Sequence, residues 1–277
     1  MSIRFSKMHG LGNDFVIIDL ISQTWEIRTE NVIKLSDRKT GIGFDQLLTV
    51  SPPKNPELDF LYRIYNADGS EAEQCGNGAR CLLKFVLDHR LTFKKKIRLE
   101  TKRRPITCVL EDNGQITVDM GEPQFKPKQI PQLADTEEEY YLELKEIEKR
   151  LVLTTVNLGN PHAVIEVTEI ENYPVEKYGS IVSTHSTFPE GINVGFMEVV
   201  SSDRIKLRVF ERGVGETSSC GTAACAAVAS GIKRGKLKPE VVVDQIGGEL
   251  KIKWFGSESP LMMTGPASNV YEGEIDI

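Results

Sequence analysis

With 277 residues, the chain is long enough for two domains of ordinary size or one large one. Apolar residues make up 40% and charged residues 27%, a globular balance with ample material for a core. A net charge of −6 without a long basic run argues against nucleic acid or an anionic membrane as partner, and no stretch is apolar for long enough to be a signal peptide or membrane span, so a cytoplasmic location is expected.

In chain order, "IRFSKMHG" and "FVIIDL" read as strands around a polar loop. "TENVIKLSDRK" has helical spacing of its apolar residues behind Thr29 as cap, with Gly41 ending it. "FDQLLTVS" and "DFLYRIYN" are strands, and "ARCLLKFVLDHR" is a helix apolar on most sides, hence buried. "KIRLETKRRPITCVLE" and "GQITVDMG" complete a meander. The stretch 121–139, rich in proline and acid, reads as a linker. The glutamates of "EYYLELKEIEKRLVLTTV" suit a helix, but the alternation of Tyr, Leu and Val favours a hairpin with a solvated charged face. Strands follow in "TVNLGNPHAVIEV", a helix in "VEKYGSIVSTH", strands in "VGFMEVVSSDRIKLRVFE", and a nearly all-apolar helix in "TAACAAVASGIKRG".

The five cysteines, Cys75, Cys81, Cys108, Cys220 and Cys225, are an odd set that fits a reducing compartment. Their spacings do not suit zinc, and the four histidines form no His-x-x-x-His pair, so no metal is expected. Cys81, Cys108 and Cys225 lie within apolar runs and read as core residues. Cys75 and Cys220 differ. Each precedes a glycine at the start of a helical run, in "EQCGNGARC" and "SSCGTAACAA".

Laying Cys75 on Cys220 without gaps also lays Asn66 on Glu211, Glu71 on Glu216, Gly76 on Gly221 and Ala79 on Ala224. A register shifted by two residues brings "LGNDFVI" onto "LGNPHAVI", so that Asn13 falls on Asn160 and Gln46 on Asn193. Corresponding polar residues in the same order indicate an internal duplication. The expected fold is α+β: two pseudo-symmetric domains, each a curved mixed β-sheet or barrel wrapped around a central α-helix. Their expected extents are 1–120, with 265–277 returning to it, and 121–264.

A helix start leaves backbone N–H groups without partners and carries partial positive charge. A thiolate is stabilised there, its pKa falling from about 8.5 towards neutrality, and a carboxylate can be held by the same amides. Gly76 and Gly221 let a ligand approach the backbone. Two such thiols on opposite faces of one carbon could invert an amino-acid stereocentre, one removing the α-proton and the other delivering one. Without pyridoxal, for which no lysine motif is visible, the carbanion would need electrostatic stabilisation from the protein.

The segments "HGLGNDFVIID", "GIGFDQLL", "YNADGSEAEQCGNGARC", "NLGNPHAV", "GINV", "ERGVGETSSCGTAACA" and "GPASNVYEG" resemble the diaminopimelate epimerase family over essentially the whole chain. The resemblance implies a cofactor-independent interconversion of LL- and meso-diaminopimelate in lysine and peptidoglycan biosynthesis, by a homodimer. It implies that Cys75 is the proton donor and Cys220 the acceptor for the LL substrate. It places Gly76, Asn77, Gly221 and Thr222 at the reacting-centre carboxylate, and Asn13, Gln46, Asn66, Asn160, Asn193 and Arg212 around the rest of the substrate. His162 and Glu211 are implied to support catalysis, Glu211 meeting a substrate ammonium while Arg212 grips the distal carboxylate, and Tyr271 to lie at the dimer contact. Ser219 and Ala223 depart from the family pattern, which has Ala and Gly there. A proline or hydroxyproline racemase, or a non-catalytic amino-acid binder, remain the competing readings; the binder has no need of two low-pKa thiols.

Overall fold

The computed structural model describes residues 2–72, 75–136, 138–144 and 149–276. The chain divides into two compact units, one of Met1–Asp119 with Thr264–Ile277 and the other of Met120–Met263.

The first unit opens with β1 (Ser2–Gly10) and β2 (Asn13–Asp19), then helix α1 (Thr29–Ser36), β3 (Gln46–Ser51), β4 (Phe60–Asn66) and the short β5 (Glu71–Ala72). Helix α2 (Gly76–Asp88), β6 (Lys96–Glu100), β7 (Ile106–Leu110) and β8 (Ile116–Asp119) follow. The second unit holds β9 (Tyr140–Leu144), β10 (Lys149–Asn157), β11 (Pro161–Glu166), helix α3 (Val175–Ser183), β12 (Asn193–Ser201), β13 (Arg204–Glu211) and β14 (Gly215–Thr217). Helix α4 (Gly221–Lys233), β15 (Glu240–Gln245) and β16 (Gly248–Lys253) complete it, and β17 (Met262–Gly265) leads into β18 (Ser268–Asp276).

Strand pairing repeats from one unit to the other. In the first, β18, β1, β2, β3, β4, β6, β7 and β8 are hydrogen-bonded in that order, antiparallel except for β2–β3 and β4–β6, and β5 adds to β4. In the second the order is β9, β10, β11, β12, β13, β15, β16, antiparallel except for β11–β12 and β13–β15, and β14 adds to β13. The registers correspond as well. Phe15 faces Gln46 where His162 faces Asn193, and Tyr65 faces Glu71 where Phe210 faces Glu216. Even one ion pair is duplicated: Arg63–Glu71 at 2.8 Å and Arg208–Glu216 at 2.6 Å. This is the mixed α+β design that the two offset alignments imply.

Each unit buries one helix. α2 packs on β1, β2, β3, β7, β8 and β18, and α4 on β10, β11, β12, β13 and β16. In α2 every residue from Gly76 to Leu83 is buried, as are Phe85 and Val86, so Leu82, Leu83, Phe85 and Val86 fill the core while Lys84 and Asp88 pair outside it. In α4 the buried face extends round the helix from Gly221 to Gly231, because its alanines let strands approach closely from several directions. Burial on all sides fixes the helix starts, and therefore Cys75 and Cys220, against their sheets.

Tight packing reaches the α2 mouth. A Cβ on Gly78 would lie 2.4 Å from the Tyr62 hydroxyl and 3.2 Å from Leu48. Tyr62 is 1% exposed and donates to the Cys75 carbonyl at 3.2 Å, so it cannot yield without disturbing the thiol's own residue. Gly78→Ala should gain about 1 kcal/mol of helix propensity but lose about 1–3 kcal/mol to overpacking. The expected result is a lower urea midpoint, recovered by adding Tyr62→Phe, which removes the oxygen that the new methyl meets. A Gly78→Ala protein as stable as the parent would contradict this packing.

Some local expectations are corrected. Helix α1 starts at Thr29 with Arg28 as N-cap, so Thr29 does not cap it. It ends at Ser36, before Gly41, because the Asp37 carboxylate accepts from the amides of Lys39 and Thr40 and closes a turn. The β9–β10 hairpin is present, with its tip at 145–148 outside the described residues. Within 121–139 lie a short 3-10 turn, Pro127–Gln129, and a backbone bridge from Gln124 to Asn157. The β15–β16 hairpin had no counterpart among the sequence expectations.

Candidate active site

Both cysteines singled out by the sequence cap a buried helix. Cys75 is the N-cap of α2 and Cys220 the N-cap of α4, both with extended backbone, and their carbonyls accept from Ala79 and Ala224 in the first helical bond. Gly76 and Asn77 open α2 as Gly221 and Thr222 open α4. Glu73 and Gln74 of the first motif lie outside the described residues.

In the first unit, the Cys75 sulfur accepts from the Gly78 N–H at 3.4 Å and its thiol donates to Asn13 Oδ1 at 3.8 Å. Asn77 Nδ2 donates to the same Asn13 oxygen at 3.3 Å. Asn13 is delivered by the β1–β2 turn, where Gly12 has φ 87°, a conformation costly for any residue with a Cβ. Gly159, φ 100°, performs the same service before Asn160. Gln46 and Asn66 meet across β3 and β4, Gln46 Nε2 donating to Asn66 Oδ1 at 2.9 Å.

In the second unit, Glu211 ends β13 beside the Cys220 thiol. The thiol donates to Glu211 Oε2 at 3.5 Å, while the Thr217 hydroxyl donates to Oε1 at 2.7 Å and fixes the carboxylate. Thr222 Oγ1 lies 3.5 Å from the sulfur. The Cys220 amide N–H is taken by Gln245 Oε1 at 2.9 Å. Here the sequence expectation of a thiol with lowered pKa is overturned. Cys220 is only 6% exposed, and its pKa is pushed well above the ordinary thiol value, first by burial and then by the Glu211 charge, against the Thr222 hydroxyl and the Ala223 N–H. Desolvation exceeds what the helix end returns, so Cys220 holds its proton with a carboxylate in place to receive it.

His162 lies on β11 and is 1% exposed. Its Nε2 meets Asn160 Oδ1 at 3.0 Å. Because that oxygen only accepts, Nε2 carries the proton, and Nδ1, buried without a partner among the described residues, keeps its lone pair. Burial, reinforced by the nearby Arg212 charge, lowers the His162 pKa to about 3, so the ring is a neutral base at neutral pH. The sign for stability follows. Between pH 6.5 and about 3 the unfolded chain takes up a proton that the folded ring refuses. The contribution is therefore present above pH 6.5 and is lost as pH falls, at up to about 1.4 kcal/mol per pH unit. His162→Gln should flatten the acid limb of urea-measured stability between pH 6.5 and 4.5; an unchanged slope would show that the ring titrates normally.

Asn193 opens β12, and its Oδ1 accepts from the Arg212 amide at 2.9 Å. The Arg212 guanidinium donates to the carbonyls of Glu190 and Gly191 and is exposed, so backbone oxygens hold it in place. Tyr271 lies on β18, 45% exposed and edge-on to Phe5 at 6.0 Å. Three supporting residues escaped the sequence reading: Thr217, Gln245 and Asp45, which holds Asn13 Nδ2 at 2.9 Å. Glu71 on Glu216 marked the strand that carries Thr217, but nothing in the sequence marked Gln245. Asp45 lies in "GIGFDQLL", next to Gln46, but its matching place in the second half holds Ile192.

Among the described residues no group of three or more His, Cys, Asp and Glu side chains could hold a metal ion. No helix among them is long and apolar enough to cross a membrane.

Residues 5–126 and 154–270 match the family model described as Diaminopimelate epimerase. The chain is 51% identical over 276 residues, 99% of both chains, to a diaminopimelate epimerase of Pseudomonas syringae pv. tomato. It is 50% identical over 276 residues, again 99% of both, to one of Azotobacter vinelandii. Among solved structures it is similar to a hydroxyproline epimerase from Agrobacterium vitis with bound trans-4-hydroxy-L-proline, with TM-score 0.75, 14% identity and coverage of 99% of this chain and 92% of that one. A Bacillus anthracis phenazine biosynthesis protein of the PhzF family aligns with TM-score 0.71, 18% identity and full coverage of both chains. At those identities the last two share the fold.

Proposed function

The chain belongs to the diaminopimelate epimerase family of isomerases, and from that premise we propose that it interconverts LL- and meso-2,6-diaminopimelate with two cysteines and no bound cofactor. In this reading Cys220 gives its proton to Glu211, and the thiolate takes the α-proton of the LL isomer. Cys75 delivers its thiol proton to the α-carbon from the other face, leaving a thiolate that solvent reprotonates while Glu211 gives its proton up to solvent, which restores both groups before the next turnover. Both steps are proton transfers, so no oxidant or reductant is consumed. The observation that carries the proposal is the Cys220 thiol bonded to a carboxylate that Thr217 holds in place. A merely structural cysteine does not require a half-buried base beside it.

The remaining roles rest on the family match and on placement. Gly76 and Asn77 at α2, with Gly221 and Thr222 at α4, supply helix-end amides for the carboxylate of the reacting centre. Asn13, Gln46, Asn66, Asn160 and Asn193 contact the rest of the substrate, and Arg212 grips its distal carboxylate. Neutral His162 offers a lone pair for proton relay. The enzyme acts in lysine and peptidoglycan biosynthesis in the cytoplasm, as a homodimer with Tyr271 at its contact. The decisive experiment incubates the protein with LL-diaminopimelate in deuterated water. Meso product carrying one α-deuterium is expected, and interconversion of proline in place of diaminopimelate would reject the substrate assignment.

A further inference from the structure

An asparagine amide can turn either end towards a neighbour, and the residues behind Asn13 decide which end Cys75 meets. Asn13 Nδ2 donates to Asp45 Oδ2 at 2.9 Å, which turns Oδ1 towards the Cys75 thiol and Asn77 Nδ2. The carboxylate of Asp45 only accepts. A flipped amide would set its oxygen against that carboxylate and its NH2 against the NH2 of Asn77. Asp45 is itself clamped. It exchanges backbone bonds with Asp14, the Asp14 N–H donating to Asp45 Oδ2 at 3.1 Å and the Asp45 N–H to Asp14 Oδ1 at 2.9 Å. Arg38 donates to Asp45 Oδ1 at 2.8 Å and forks onto both Asp14 oxygens at 2.7 and 2.9 Å. Lys7, buried, reaches Asp14 Oδ2 at 2.5 Å and also donates to the Gly43 carbonyl. Although burial opposes it, the two cations hold the Asp14 carboxyl well below the usual range, so the clamp stays ionised.

The second unit lacks this device. The register that lays Asn13 on Asn160 lays Asp14 on Pro161 and Asp45 on Ile192. There the amide oxygen is taken by His162 instead. The clamp is therefore confined to one half of the duplicated scaffold.

We propose that Asp45 is a positioning residue: it locks the Asn13 amide with its oxygen towards Cys75, which keeps that sulfur in its thiol form. The Gly78 N–H on the same sulfur would suit a thiolate, and the Asn13 oxygen opposes it. Among the described residues Tyr62 of β4 and Cys81 of α2 also sense the Cys75 charge, and the test leaves both unchanged. The value of this protonation for turnover, supplying the proton donor, rests on the function proposed above.

The test compares Asp45→Asn and Asp45→Glu with the parent. Two quantities are read: the rate of Cys75 alkylation by iodoacetamide at fixed neutral pH, followed by peptide mass spectrometry, and kcat against KM with LL-diaminopimelate. An asparagine at 45 can donate to a flipped Asn13, so the NH2 then meets the sulfur and favours thiolate. Alkylation of Asp45→Asn should rise about fivefold or more, and kcat should fall about tenfold with little change in KM. Asp45→Glu, still acceptor-only, should return both towards the parent. Parental alkylation in a folded Asp45→Asn protein would overturn the proposal. Should circular dichroism show that variant unfolded, Arg38→Gln loosens the clamp while leaving the acceptor; a smaller rise in alkylation supports the proposal there, and none overturns it. Alkylation reports the amide's orientation whether or not Cys75 is the acid of the reaction. Faster alkylation with unchanged kcat would thus support the positioning while rejecting the donor role.

Discussion

Cys220→Ser is expected to lower the epimerisation of LL-diaminopimelate by about 10³–10⁴-fold, near the top of the range for a positioned acid–base group. The hydroxyl is close in size and can still donate to Glu211, so the fold and the contact survive while the acidity does not. An alcohol is several pK units weaker as an acid than a thiol, and its conjugate base is correspondingly inaccessible at neutral pH. Cys75→Ser should abolish inversion to a similar degree, but the two variants differ in isotope exchange. With Cys220 intact and Cys75 replaced, the LL isomer can still lose its α-proton to the sulfur and regain a deuteron from the same side. Deuterium then enters without inversion. With Cys220 replaced, neither exchange nor inversion of the LL isomer should occur. Persistent α-exchange of the LL isomer in both single variants would reject the assignment of the two thiols.

The duplication was legible because it is written in residue types that resist substitution by shape alone. Two glycines that must adopt positive φ deliver Asn13 and Asn160, and two glycines follow the capping cysteines. These positions align in two ungapped registers that differ by two residues, and the strand pairings Phe15–Gln46 and His162–Asn193 correspond in the register that lays Asn13 on Asn160. Electrostatics were less legible. Placement at a helix mouth argued for an acidic thiol, yet the Cys220 environment is set by how completely α4 is buried and by a carboxylate nine residues upstream. Burial depends on tertiary packing of alanines from both sides, which local spacing does not report. The same holds for His162: the strand that carries it was readable, but the burial of its ring on β11 was not. Asp45 was hidden for another reason. Its role is to select one of two orientations of a neighbouring amide, and only coordinates distinguish those.

Glu211→Gln isolates the raised pKa of Cys220 from the thiol itself. Glutamine keeps the size of the side chain and an oxygen for the Thr217 hydroxyl, so the β13–β14 hairpin should retain its bonds. It removes a charge that destabilises the thiolate, which by itself would ease ionisation. Burial, the larger cause of the upward shift, is untouched, and the internal proton acceptor is lost. Loss of the acceptor dominates, because a buried thiol has to pass its proton somewhere before it can attack carbon. A fall in kcat of about 10²–10³-fold at neutral pH is expected. The pH profile carries the finer test. In the parent the proton moves internally, so the rate should be nearly flat above the pH at which Glu211 ionises. In Glu211→Gln the proton must leave to solvent, so the rate should climb with pH through the alkaline range, approaching tenfold per unit while the pH stays below the thiol's pKa. A variant with parental kcat, or one whose loss is the same at every pH, would show that Glu211 does not receive the Cys220 proton. The direct Sγ–Oε2 contact would then be packing without chemistry.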